Sequence, residues 1–205
     1  MQAQLEGVQE IPRRMTEEEF DAFKNEDIWA EFRDGEVITR MPALLKHEAL
    51  FKFLLILLDL YVTRRGLGFV IGSQYTIRLR PGLRRIPDLM FISKARLEIV
   101  REQFVEGAPD LVIEIVSPDS VARDWRDKYV EYEEAGVTEY WVFDTQSQHA
   151  EWYHLNAEGR YERLPTQEGA FYSTVLSEFF IREEWLWQDP LPDPLDKARE
   201  LGIQL

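Results

Sequence analysis

Ten residues, "PDLVIEIVSP" at 109–118, constrain this chain more than any other stretch. A short continuous apolar run fenced by prolines reads as a strand. Side chains alternate along a strand, so Asp110, Val112, Glu114 and Val116 share one face and Leu111, Ile113 and Ile115 the other. Both faces are apolar apart from the acids, which places the strand at the centre of a sheet. Glu114 is then an ionisable group in the middle of a core. Burying an ionised carboxylate without compensation is very costly. Glu114 must be protonated, paired with a cation, or set at a cleft that a metal or water reaches.

The rest of the chain can build such a core. Its 205 residues suit one domain, and 45% hydrophobic with 13% aromatic residues supply the packing material. The expectation is a single unit over 1–205, with its core at about 15–155 and a C-terminal hairpin and Trp/Pro-rich arm over 156–205. There is no cysteine, which excludes disulfides, thiolate metal sites and cysteine nucleophiles. The first twenty residues hold no apolar signal region. The longest apolar run, "ALFKFLLILLDLYV", is interrupted by Lys52 and Asp59 and is too short to span a bilayer. A cytoplasmic protein with no membrane partner is expected.

Net charge is −14, which by itself argues against nucleic acid. The charge is uneven: Arg64 to Arg101 holds nine Lys/Arg against two Asp/Glu, a local sum of +7. These cations are either scattered solvent-facing side chains or a basic strip on an acidic body.

Element signals run the length of the chain. Thr16 with Glu19 has capping-box spacing before a short helix over 15–24. Asp34-Gly35 marks a hairpin. Residues 44–62 form a long helix whose apolar face carries His47, Leu50, Phe51, Leu54, Leu58 and Tyr61. One strand is expected over 69–79, with a turn at Pro81-Gly82, and another over "IPDLMFIS". Residues 94–105 form a short helix or loop. After the central strand come a helix over about 120–135, closed by Gly136, the strand "TEYWVFDT", and a hairpin around Glu158-Gly159. Residues 171–205 are expected to be irregular, with a late helix at 194–202. The arm is a packing element or dimer contact. The order is that of a mixed α/β domain.

Three residues stand out as chemistry. Asp88 opens an apolar strand behind a proline, as Asp110 does; Pro-Asp is also ordinary turn chemistry. Lys128, at 100° per residue, falls beside Trp125 and Tyr132 and in line with Val121, whereas Arg126, Asp127, Glu131 and Glu134 point elsewhere. Lys128 is therefore on or next to the buried face, either snorkelling over the aromatics or reaching Glu114 as an ion pair. Two carboxylates on adjacent strands suit a hard divalent cation. Such a cation polarises a phosphoryl oxygen and acidifies bound water, and a nearby lysine orients that water or neutralises developing charge.

The segments "EFRDGEVI", "KHEALF", "IPDLMFIS" and "GAPDLVIEIVSPDSVARDWRDKYVEYEEAGVTEYWVFD" carry a resemblance over roughly residues 15–155. The chain resembles the bacterial family of putative restriction endonucleases, formerly a domain of unknown function, within the PD-(D/E)XK nuclease superfamily. The resemblance implies a restriction-endonuclease-like α/β fold: a mixed central sheet with an αβββαβ core flanked by helices, an N-terminal hairpin and a C-terminal extension. It implies a Mg²⁺- or Mn²⁺-dependent endonuclease acting on DNA. Asp88 matches the aspartate of "PD" and Glu114 the acid of (D/E)XK, the two metal ligands. The superfamily lysine two residues later is replaced here by Val116; in the resembled family the following helix supplies it, and Lys128 matches it. Glu31 matches a recurrent glutamate near the metal or its waters; otherwise it is an exposed strand residue beside a turn. His47 is either catalytic or a hydrogen-bonded core histidine. Asp110 is either a third acid or turn chemistry. On the nuclease reading Arg78, Arg80, Arg84 and Arg85 flank the cleft and take phosphates. Homodimerisation follows by analogy with nuclease folds that cut both strands. A catalytically inactive nuclease-like fold used for binding or assembly is the alternative. A glycosidase-like acid pair is a weaker third, because it has no use for Lys128. His149 and His154 receive no role.

Overall fold

The computed structural model describes residues 14–23, 30–39, 44–72, 74–116 and 123–204. Lys24, Pro118 and Val121, which framed elements above, lie outside the described residues, as do residues 1–13.

Helix α1 (Glu17–Phe23) starts at the anticipated capping box. The Thr16 amide donates to Glu19 Oε2 at 2.8 Å and the Glu19 amide to Thr16 Oγ1 at 3.2 Å. Strands β1 (Ala30–Arg33) and β2 (Glu36–Thr39) pair across Asp34-Gly35. Both turn residues have positive φ, 46° and 91°, the backbone that Asp-Gly accommodates in a two-residue hairpin. Helix α2 (Leu45–Arg65) ends on Gly66 in the left-handed conformation.

The stretch 69–79 is not one strand. It divides into β3 (Gly68–Ile71) and β4 (Thr76–Arg80), which belong to different sheets. Strand β5 (Leu83–Arg85) follows the Pro81-Gly82 turn, then β6 (Leu89–Ser93), a 3-10 helix (Lys94–Ile99), β7 (Phe104–Glu106) and β8 (Leu111–Val116). A π-helical turn (Arg123–Asp127) leads into α3 (Lys128–Ala135), capped by left-handed Gly136. Strands β9 (Glu139–Asp144), β10 (His149–Leu155), β11 (Tyr161–Arg163), β12 (Ala170–Tyr172) and β13 (Phe180–Arg182) complete the sheets. Helices α4 (Glu183–Leu186) and α5 (Pro194–Glu200) close the chain.

Six strands form the main sheet in the order β11-β10-β9-β8-β6-β3. β8 runs antiparallel to β6 and parallel to β9. A parallel pair requires a crossover, which α3 provides. Within the sheet the succession α2, β3, β6, β8, α3, β9 reproduces the αβββαβ order. A second sheet, β2-β1-β5-β4-β7, incorporates the N-terminal hairpin.

All six residues of β8 are buried, and its faces serve two cores. Leu111, Ile113 and Ile115 pack with Leu50, Leu54 and Leu58 of α2. Val112 and Val116 pack with Tyr132, Tyr140 and Val142. The C-terminal arm joins the first core: Trp185, Leu201 and Ile203 are buried in it and Trp187 packs against it. Residues 171–182 are not irregular but form the β12–β13 hairpin, and α5 matches the expected late helix. Among the described residues no helix is long and apolar enough to cross a membrane.

Candidate active site

Strand register brings the two acids together. Met90 faces Val112 and Leu89 faces Ile113, so Asp88, one residue before β6, comes in beside the Glu114–Ile115 part of β8. The Ile115 amide donates to Asp88 Oδ2 at 2.7 Å. His47, from the first turn of α2, places Nε2 3.4 Å from the same oxygen. Asp88 is 2% exposed and His47 7%. His47 therefore contacts the acid of the site rather than only filling the core.

Helix α3 supplies the cation. Lys128 Nζ lies 2.8 Å from Glu114 Oε1 and 3.4 Å from Glu31 Oε1. One helical turn on, the Tyr132 hydroxyl donates to the same Glu114 Oε1 at 2.8 Å. Burial pushes the Tyr132 phenol well above its ordinary pKa, and the neighbouring Glu114 carboxylate adds to this, so the hydroxyl stays protonated and donating. The opening puzzle of a glutamate inside a core strand has its answer in these two donors. Tyr132 was legible as an inward aromatic, but nothing in its spacing marked it as a partner of Glu114.

Glu31 is not a solvent-facing turn residue; it is 1% exposed. It accepts from Arg85 Nη1 at 2.9 Å and from the Ile86 amide at 3.3 Å. Arg85 in turn forks onto Glu131, with Nε to Oε2 at 2.6 Å and Nη2 to Oε1 at 2.7 Å. Burial works against the Arg85 charge, but the Glu131 hydrogen bonds and the Glu31 carboxylate hold its pKa above the ordinary guanidinium range. Glu131 was expected to point away from this face. Glu131 stands three residues after Lys128 on the same regular helix, so the two side chains lie on adjoining sides of α3.

The arginines of the basic strip differ in exposure. Arg85 is fully buried and lines no open cleft. Arg78 pairs with Glu17 at 2.8 Å and Glu106 at 3.4 Å, Arg80 with Asp34 at 2.7 Å, and Arg84 with Glu17 at 3.1 Å and Asp21 at 2.8 Å. All four carry carboxylate partners, among them Glu17 and Asp21 of α1 and Asp34 of the β1–β2 turn. Spacing along β4 and β5 could reveal the cations but not the distant acids that neutralise them. The Arg78 hydrogen bond holds the Glu17 carboxyl down at about 2, against the opposing effect of burial.

The other candidates separate from the site. Asp110 accepts from the Ser93 amide at 2.7 Å and from Arg96 at 3.1 Å, which ties the start of β8 to the end of β6. His149 stacks on Trp125 with ring centroids 5.7 Å apart. His154 meets Thr174 Oγ1 at 2.8 Å. A buried acid that the sequence reading passed over, Glu139, accepts from Trp141 Nε1 at 3.1 Å, Ser173 Oγ at 2.9 Å and both the amide and hydroxyl of Thr174.

Comparison with known proteins bears on this arrangement. Residues 17–181 match the model of a family, Uma2, described as "Putative restriction endonuclease". Among solved structures the chain is similar to a putative nuclease belonging to DUF820 from Anabaena variabilis ATCC 29413. That protein is 18% identical, with a TM-score of 0.69 over 84% of this chain and 97% of that one. At such identity the likeness is one of fold. No curated protein matches.

Proposed function

Because the chain belongs to the Uma2 family of putative restriction endonucleases, we propose that it is an endodeoxyribonuclease that hydrolyses DNA phosphodiester bonds with Mg²⁺ or Mn²⁺ held by Asp88 and Glu114. The observation that carries this reading is the Lys128 ammonium 2.8 Å from Glu114, with Asp88 bonded to the amide of the next residue, Ile115. Magnesium sites commonly use one or two carboxylates and complete the shell with waters and substrate oxygens. Asp88 and Glu114 supply that number. Among the described residues no three His, Asp or Glu side chains are grouped to hold a metal by themselves, so the remaining positions fall to water and phosphate. When bound, the cation polarises the phosphoryl group and acidifies a water.

The chain's own groups have distinct tasks. The Ile115 amide and His47 hold Asp88, and Lys128 and Tyr132 orient Glu114. On this reading the Lys128 ammonium orients the attacking water or offsets negative charge developing in the transition state. On this reading the partly exposed Arg78 and Arg80 remain the candidates for phosphate contacts, in exchange with their carboxylate partners.

The second reading, a non-catalytic nuclease-like module for binding or assembly, is favoured by one observation. Asp88, Glu114 and Lys128 are each 2% exposed or less, and a Lys128–Glu114 pair neutralises the buried carboxylate without any reaction. Nicking of supercoiled plasmid in Mg²⁺ or Mn²⁺ separates the two. Wild type should nick, and Glu114→Gln and Lys128→Met should each lose about 100-fold or more. Equal rates in all three proteins would discard the catalytic assignment. Absence of Mn²⁺ binding by wild type in calorimetry would favour the inactive module.

A further inference from the structure

We infer that Tyr132 is a positioning residue for Glu114, fixing the carboxylate that the proposed metal site needs. The inference rests on that proposed site and extends it to a residue outside the motif.

The geometry is specific. Lys128 and Tyr132 are four residues apart on α3 and so share one face. Both direct a donor to one oxygen, Glu114 Oε1, each at 2.8 Å. Two donors arriving from one helix locate that oxygen more tightly than a single ammonium on a flexible four-carbon stem does. The tyrosine is itself immobile. It is fully buried, and its ring centroid lies 5.1 Å from that of Tyr140. Its only O–H is committed to Glu114.

This also explains how the site survives a change of partner. A carboxylate that takes a cation gives up part of its interaction with an ammonium of like charge. Lys128 already has Glu31 Oε1 at 3.4 Å to share its charge. Tyr132, a neutral donor, has no reason to leave, and it remains as the fixed reference for Glu114. Tyr132 acts through Glu114 and touches neither substrate nor reacting atoms.

Tyr132→Phe removes one oxygen and keeps the ring. Calorimetry with Mn²⁺ on wild type, Tyr132→Phe, Glu114→Gln and the double variant gives a readout independent of cleavage. Tyr132→Phe should weaken Mn²⁺ binding about tenfold, the scale of one hydrogen bond to a charged group. It should have no further effect in the Glu114→Gln background. In nicking assays kcat should fall by a similar factor with KM for DNA unchanged. Tyr161→Phe is the control. It removes another buried hydroxyl of the same aromatic cluster, one that donates to the Val137 carbonyl at 2.9 Å, and it should leave Mn²⁺ affinity alone. Wild-type affinity in Tyr132→Phe, or an equal loss in Tyr161→Phe, overturns the positioning role while the nuclease reading stands. Wild type that neither binds Mn²⁺ nor nicks overturns the metal site itself, and this inference with it.

Discussion

Glu114 and Glu139 lie on neighbouring parallel strands, and both are 0% exposed. Their surroundings differ in kind. Glu139 is ringed by neutral donors: an indole, a serine hydroxyl, and the amide and hydroxyl of Thr174. Three of these donors come from the segment between β12 and β13, so the acid latches the C-terminal hairpin onto the main sheet. Glu114 instead faces an ammonium and a phenol, and its ammonium is shared with Glu31, which is shared with Arg85, which is shared with Glu131. The first arrangement satisfies a carboxylate and ends there. The second concentrates formal charges of both signs in one place, where removing or adding a cation shifts every neighbour. Burial of an acid is thus no sign of chemistry by itself; the charge and exchangeability of its partners are.

The sharpest way to break this contrast is Lys128→Met. It strips the cation from two buried carboxylates, and losing one partner of a buried pair costs about 3–5 kcal/mol. Urea unfolding should show that loss; a cost below about 1 kcal/mol would mean that the charge cluster is not energetically coupled. Glu139→Gln comes next. It sets an amide N–H₂ against donors that need an acceptor, at about 1–3 kcal/mol. The urea midpoint should fall, while nicking by the folded fraction stays at the wild-type rate. Reduced nicking at full folding would erase the division between latch and site.

The smallest effect concerns a third carboxylate, Glu17, which is held by cations as Glu114 is but lies nearer the surface. Its folded pKa is about 2, against an ordinary value of 4.5, with the Arg78 hydrogen bond as the main cause. A depressed carboxyl contributes stability above its unfolded pKa and loses it as pH falls through the folded one. Wild type should therefore lose stability between about pH 4.5 and 2, and Glu17→Gln should flatten that limb of a pH-dependent melting series. An unchanged acid limb in the variant would separate α1 from the arginines of β4 and β5.

Much of this was written locally. The Thr16–Glu19 capping box, the Asp34-Gly35 hairpin, the left-handed stops at Gly66 and Gly136, and the division of β8 into two faces depend on φ, ψ and the two- or 3.6-residue period, which a few neighbouring residues dictate. The same alternation put Glu114 on one face with Val112 and Val116, and helical spacing put Lys128 on or next to the buried face of its helix. Asp88 was marked by its place at the head of an apolar strand, and the family resemblance gave it, with Glu114 and Lys128, a role. Tertiary structure alone decided the rest. It divided residues 69–79 between two sheets, folded Trp185 into the main core, and brought Arg85 against Glu131. It also paired Arg78 with Glu17, 61 positions away, and closed Arg85 between Glu31 and Glu131. Sheet membership and ion-pair choice are set by which segments meet after the chain has collapsed, and a charge carries no periodic mark of the partner it will find.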